Sequence, residues 1–228
     1  MTGGVLYAPG HRPDLLGAAL ASDADQVILD LEDSVPAAQK ADAREQVASV
    51  LASQTGPTER LVVRVNAMEH GGHDDLALCA AERPGAVLVP KIDVADDVTS
   101  VQQAMDDHGI DASVRLWAMI ESPTALLEGL GIARSGGRLA ALVVGYGDLA
   151  TSLGVPFAPD DEPLRSAAVL CLLAARAGGL RAIDGVDLTA GESFAAACAR
   201  SASLGFDAKT LVSTAQVGPC AAAFAART

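Results

Sequence analysis

Aromatic side chains are scarce in this sequence: one Trp, two Tyr and four Phe, 3% of its 228 residues. A core built without them must come from Ala, Val, Leu and Ile, the aliphatics that fill the interior of a parallel barrel. Basic residues are also short, 16 Lys plus Arg against 29 Asp plus Glu, for a net charge of −13. That balance argues against a nucleic-acid partner, whose phosphates would be repelled, and no basic stripe offsets it locally. Anionic membrane surfaces are disfavoured on the same ground. An anionic small-molecule substrate stays open, provided a few Arg or Lys side chains converge in one pocket.

The four cysteines, Cys79, Cys171, Cys198 and Cys220, form no CxxC pair. They read as small buried hydrophobes in a reducing compartment. No basic-plus-apolar leader precedes the first apolar run, and no stretch approaches the ~18 residues of a membrane span. The expectation is a soluble, cytoplasmic protein with no membrane partner.

What the chain does have is alternation. Apolar runs rich in Val, Ile and Leu occur at Val5–Ala8, Val27–Leu31, Leu61–Val65, Val87–Val89, Leu116–Ile120, Leu142–Val144, Arg181–Ile183 and Phe206–Val212. Helix-like segments lie between them, such as Ala37–Ala52, Ala95–His108, Pro163–Ala177 and Ala190–Ser203. Near-continuous apolar strands alternating with helices predict a parallel sheet, and a count of eight closes a (β/α)₈ TIM barrel. An open doubly wound sheet would want a glycine-rich phosphate turn after the first strand, and Pro9-Gly10-His11-Arg12-Pro13 is not one. With no linker or composition break, residues 1–228 read as one catalytic domain.

Polar residues gather where these strands end, and in barrels the catalytic groups sit at those ends. The series runs His11-Arg12, Asp30-Leu31-Glu32-Asp33, Arg64-Val65-Asn66, Lys91, Glu121, Asp148, then Asp184 and Asp187. Any one of these could be a capped or salt-bridged loop end. Glu121 and Asp148 follow neighbouring strands, so their carboxylates can converge on one ion. Mg²⁺, with Mn²⁺ as the alternative, commonly takes one or two protein carboxylates and leaves its other positions to water and substrate oxygens. The competing reading of Asp148 is a helix N-cap ahead of Leu149. Arg64 shares a strand face with Val62 and Asn66, looking into the barrel. It can clamp a substrate carboxylate through its planar fork or form a buried ion pair with Glu32. Arg12 and Lys91 could hold a second anionic group, although Lys91 also reads as a surface charge. His70-Gly71-Gly72-His73-Asp74-Asp75 lacks metalloprotease spacing and is expected to be a flexible loop and helix cap.

Several of these stretches occur together in a known family. They are Ala8-Pro9-Gly10-His11-Arg12-Pro13, Val27-Ile28-Leu29-Asp30-Leu31-Glu32-Asp33-Ser34 with Lys40 and Arg44, and Val63-Arg64-Val65-Asn66-Ala67. Val89-Pro90-Lys91, Ile120-Glu121-Ser122-Pro123, Gly145-Tyr146-Gly147-Asp148-Leu149, Ala182-Ile183-Asp184-Gly185-Val186 and Leu204-Gly205-Phe206-Asp207-Ala208-Lys209 complete the series. In this order, over nearly the whole chain, they resemble the citrate lyase β-subunit-like group of the HpcH/HpaI aldolase/citrate lyase superfamily.

The resemblance implies a TIM barrel binding Mg²⁺ through Glu121 and Asp148, with Arg64 on the substrate carboxylate and Glu32 in the active site. It implies a carbon–carbon lyase acting on a citryl, malyl or similar thioester of coenzyme A or acyl carrier protein. The small keto acid would be oxaloacetate, pyruvate or glyoxylate, and the assembly a trimer or larger. Glu32-Asp33 stands where the superfamily's class II pyruvate aldolases carry Glu-His, which favours the citrate lyase side over an aldolase on free hydroxy-keto acids. Ser213-Thr214-Ala215-Gln216 replaces the relatives' His-Pro-x-Gln, and the C-terminal extension of many relatives is not in this sequence. Both keep a non-catalytic keto-acid- or thioester-binding barrel in view. The expected mechanism is metal-assisted aldol or Claisen-type chemistry, with Glu32 or Asp33 moving the proton. Schiff-base chemistry at Lys91 or Lys209 is disfavoured by the neighbouring Asp93 and Asp207, which would keep the lysines charged.

Overall fold

Each apolar run forms a parallel strand in the computed structural model, which describes residues 3–54 and 58–226. β1 (Gly4–Pro9), β2 (Gln26–Asp30), β3 (Leu61–Arg64), β4 (Ala86–Val89), β5 (Arg115–Ile120), β6 (Leu139–Val144), β7 (Arg181–Asp184) and β8 (Ala208–Leu211) pair in chain order. β8 pairs back onto β1, so the sheet closes and the expected (β/α)₈ barrel is present. The helices are α1 (Pro13–Leu20), α2 (Lys40–Ala52), α3 (Gly72–Glu82), α4 (Ala95–Asp107), α5 (Pro123–Leu127) and α6 (Gly129–Ala133). α7 (Tyr146–Leu153), α8 (Glu162–Gly178), α9 (Gly191–Leu204) and α10 (Val217–Ala225) complete the ring.

Alternation along the strands sorts the core into two sets. Val5, Ile28, Val62, Leu88, Trp117, Met119, Val143 and Ile183 fill the barrel. Leu6, Val27, Leu29, Val63, Val87 and Leu116 face outward into the layer beneath the helices. The helices answer with single apolar stripes, as in α4, which buries Val98, Val101 and Met105 at helical spacing. α8 buries Leu164, Ala167, Ala168, Cys171, Leu172 and Ala175 against the barrel, leaving Leu170 and Leu173 exposed. All four cysteines are buried and unpaired.

Three local readings change. β8 is shorter than Phe206–Val212, because Asp207 turns back to accept from the Ala182 N–H and the Val212 N–H is taken by Gln216 Oε1. β6 begins earlier, at Leu139. The His70–Asp75 segment is a tight turn rather than a loose loop. Gly71, at φ 101°, admits the chain to α3, no side chain caps it, and Asp75 is buried inside the first turn. No helix among the described residues is long and apolar enough to cross a membrane.

Candidate active site

The β2–β3 register sets Asp30 opposite Arg64 at the C-terminal rim. The Arg64 guanidinium takes Asp30 side-on, Nε to Oδ1 at 2.6 Å and Nη2 to Oδ2 at 2.7 Å. Its Nη1 lies 2.7 Å from Glu32 Oε2 and 3.4 Å from Asp33 Oδ2, and its Cζ stands 5.0 Å over the Tyr7 ring. The fork expected to be free for a substrate carboxylate is therefore largely engaged by Asp30, which shares the inward strand face. The ion pair with Glu32 is present as well. Asp30 also accepts from the Glu32 N–H at 2.9 Å and from the Ser34 hydroxyl, which closes the loop after β2.

These contacts split the carboxylates electrostatically. Burial would raise the Asp30 pKa, but the Arg64 charge and hydrogen bonds outweigh it and hold the group below its ordinary value. Burial pushes Glu32 up to about 7; Arg64 opposes the rise, while Asp33, Glu121 and Asp30 add to it. Glu32 Oε2 is buried and, despite its proximity to Arg64, makes no hydrogen bond of acceptable angle. Asp33 is far more solvated, with 70% of its side chain exposed against 13% for Glu32.

A second polar network anchors that loop from behind. Lys40 Nζ donates to the carbonyls of Leu31 and Glu32 and to Asn66 Oδ1, each at 2.7 Å. Asn66 Nδ2 bridges the Leu31 carbonyl and Asp75 Oδ2, and Arg44 Nε holds Asp75 Oδ1 at 2.6 Å. Lys40, Arg44 and Asn66 thus support the site by fixing its backbone.

On the opposite side, Glu121 follows β5 and is buried, its Oε1 accepting from the Lys91 N–H at 2.8 Å. Asp148 sits in the first turn of α7, three residues after the N-cap position, which Gly145 occupies. The N-cap reading of Asp148 is therefore replaced by a carboxylate inside the positive end of the helix. Lys91, at φ 57°, brings its ammonium into contact with Asp148 Oδ2 and to 3.4 Å from Glu121 Oε1. One cationic centre thus touches both carboxylates. Asp93, expected beside Lys91, instead receives the Ser122 hydroxyl.

Two glycines permit this packing. A Cβ on Gly145 would lie 2.6 Å from Glu121 Cβ, and one on Gly185 would lie 2.4 Å from the Tyr146 ring. Tyr146 begins α7 and donates its hydroxyl to Asp184 Oδ1 at 2.6 Å. Lys209 Nζ holds the other oxygen of Asp184 at 2.9 Å. Lys209 is therefore buried against Asp184 on the outer face of β8, and the expected partner Asp207 pairs with Arg176. Gln216, in the altered Ser213–Gln216 segment, is buried and donates to the Asp187 carbonyl at 2.9 Å.

The two sides border one cavity of about 430 Å³, lined by Tyr7, Asp30, Asp33, Arg64, Met119, Glu121 and Tyr146, with Phe157, Leu188 and Val212 among its apolar residues. Arg12 stands apart, exposed and ion-paired with Asp14. Tyr7 and Tyr146 are the residues sequence reasoning did not single out, and Asp30 stood in the strand-end series without a role. The available signals were Tyr7 on the face of Val5 and Asp30 on the face of Glu32. Among the described residues no cluster of three or more His, Cys, Asp or Glu side chains could hold a metal. Glu121 and Asp148 offer two hard oxygen donors and no softer ligand, a set suited to Mg²⁺ with its other positions left to water and substrate.

Residues 4–214 match the model of the HpcH/HpaI aldolase/citrate lyase family. The chain belongs to that family. It is 38% identical over 216 residues to a (3S)-malyl-CoA thioesterase of Cereibacter sphaeroides, covering 93% of this chain and 73% of that protein. It is 30% identical over 221 residues to the citrate lyase subunit beta of Escherichia coli, with the same two coverages, 93% and 73%. Among solved structures, CitE of Mycobacterium tuberculosis in complex with magnesium, acetoacetate and coenzyme A superposes with a TM-score of 0.83 at 28% identity. That match covers 97% of this chain and 80% of CitE. The family assignment agrees with the citrate lyase β-like resemblance read from the strand-end motifs.

Proposed function

We propose that this chain is a Mg²⁺-dependent carbon–carbon lyase acting on a malyl- or citryl-type thioester of coenzyme A or acyl carrier protein. The observation that carries the reading is the cavity itself. Glu121, which shares the Lys91 ammonium with Asp148, lines one side of it, and Arg64, ion-paired with Glu32 behind it, lines the other. Glu121 and Asp148 hold the ion, which when bound supplies Lewis-acid polarisation of the oxygen that becomes the keto-acid carbonyl. The Arg64 Nη1 edge, shared with Glu32, orients the substrate carboxylate. Glu32, poised near neutrality and shielded, is the base of choice over the solvated Asp33. It takes the proton from the substrate hydroxyl as the carbon–carbon bond breaks towards the thioester. The electron pair is left on the acetyl-thioester carbon, which takes the proton back from Glu32 and so restores its carboxylate. The apolar wall of Phe157, Leu188 and Val212 provides a surface for the carrier arm.

Hydrolysis of the thioester is the second reading, favoured by the 38% identity to a malyl-CoA thioesterase. Product analysis separates the two. Incubation of (3S)-malyl-CoA, citryl-CoA and the carrier-protein thioesters with Mg²⁺ should yield glyoxylate or oxaloacetate and an acetyl-thioester, with no free thiol. Malate plus free thiol would establish the hydrolase. No turnover of any thioester, with keto acid still bound, would leave the non-catalytic barrel. Turnover of free hydroxy-keto acids alone would leave the class II pyruvate-type aldolase.

A further inference from the structure

The opposite pole of the barrel carries a second cavity, of about 560 Å³, at the starts of the strands. Arg181 begins β7 and Arg115 begins β5, on the inward parity of Ile183 and Trp117. Arg181 lies across the barrel floor, its Cζ 5.5 Å from the centre of the Trp117 ring and its Nη1 donating to Gln26 Oε1 at 2.9 Å. Among the described residues that glutamine is the only hydrogen-bond acceptor of the Arg181 guanidinium, and neither Arg181 nor Arg115 has a carboxylate within ion-pair distance.

This sets them apart from Arg60, Arg138 and Arg176 at the same pole, which are consumed. Arg60 donates to the carbonyls of Leu20, Ser22 and Ala24 behind α1, Arg138 to those of Ile110 and Asp111 behind α4, and Arg176 to Gly205 and Asp207 behind α9. Those contacts answer the negative ends of helices. The acids nearest Arg181 are occupied: Asp25 accepts from the Gly3 N–H, and Asp207 is held by Arg176 and the Ala182 N–H. Among the described residues the sole acidic residue of the lining is the exposed Glu59, and Arg83 adds a third guanidinium, held loosely at 3.9 Å from Asp111. Burial works against the Arg181 charge, so a partly desolvated cation with most donors unused faces an open cavity, in a protein of net charge −13.

We infer that this cavity is a binding site for a small multivalent oxyanion of the phosphate class, gripped by Arg181 and Arg115. Planar guanidinium donors match tetrahedral oxyanions edge-on, and two of them, on β5 and β7 either side of β6, favour multivalent over monovalent anions. The barrel interior is filled by Ile28, Val62, Leu88, Met119 and Val143 between the two poles, so such an occupant is not the substrate of the thioester chemistry.

The chain's single tryptophan, Trp117, lines this cavity and reports on it directly. Pyrophosphate is titrated into the full chain in magnesium-free buffer at constant ionic strength, with inorganic phosphate and chloride as comparisons. Binding is followed by calorimetry and by Trp117 emission. The expected result is saturable heat and an emission change with pyrophosphate, weaker with phosphate and absent with chloride. Arg181→Gln should weaken binding by about tenfold or more, the worth of a charge-assisted contact. Because Arg181→Gln also removes the ring contact, Arg115→Gln at an exposed position is the second variant, and it should weaken binding several-fold. No saturable response in the wild type, a response shared by chloride, or unchanged affinity in Arg115→Gln would overturn the assignment.

Discussion

Lys91 and Asp148 are joined by an ion pair that ties the loop after β4 to the first turn of α7, and the same ammonium stands 3.4 Å from Glu121 Oε1. A tethered cation therefore holds together the two carboxylates proposed to bind Mg²⁺. Side chain and ion compete for the same oxygens. Lys91→Met should tighten Mg²⁺ binding by about three- to tenfold, as loss of a partly exposed ion pair allows. Calorimetric titration decides it, and unchanged or weaker binding would show that Lys91 does not compete.

Removing either carboxylate should have the opposite effect. Glu121→Ala and Asp148→Ala are each expected to abolish measurable Mg²⁺ or Mn²⁺ binding while the barrel stays folded, since two protein donors leave no reserve. Wild-type affinity in both variants would remove the ligand pair from the reading.

Arg64→Lys tests the β2–β3 side. Lysine keeps the charge but loses the two-pronged hold on Asp30, so stability should fall by about 1.5–3 kcal/mol. If the Nη1 edge also receives the substrate carboxylate, oxaloacetate and glyoxylate should bind more weakly by a comparable amount. A lowered melting temperature with unchanged keto-acid affinity would confine Arg64 to a structural role.

Glu32 separates stability from activity by sign. Its folded pKa of about 7 lies above the ordinary 4.5, so the native state binds the proton more tightly than the unfolded chain. The stability it contributes is full below about pH 4.5 and is lost as pH rises through about 7. A base at this position gives a rate that rises over that same upper limb. Glu32→Gln should flatten the melting-temperature profile and remove the rate limb together. A retained limb near neutrality would point to another group.

Self-association is expected through the outer face of α8, where Leu170 and Leu173 are exposed, with Leu127 and Leu130 also exposed on α5 and α6. Light scattering should find a trimer or larger assembly, dispersed by Leu173→Asp. A monomer at high concentration would contradict it.

The strands were legible because an inward and an outward apolar set leave each of them almost uninterrupted. The short helices α5, α6 and α7 span five to eight residues, too few turns for a periodic stripe to declare itself. In the candidate site, strand alternation puts Asp30 and Glu32 on one face, and Arg64 meets both there. Their pairing depends on the β2–β3 register, a relation between segments 34 residues apart that neither segment encodes alone. Lys91 was ambiguous for a different reason. Its left-handed backbone turns a loop lysine inward towards Asp148, a conformation to which side-chain type gives no clue.

Gly145 and Gly185 make the site's evolution stepwise rather than gradual. The space for a methyl group at each is already filled, by Glu121 at one and by Tyr146 at the other. A lineage drifting at either position would have to relocate a proposed metal ligand, or the tyrosine two residues before one, in the same event. Change in substrate preference is therefore channelled to the apolar wall of Phe157, Leu188 and Val212, where partly exposed side chains can be exchanged one at a time.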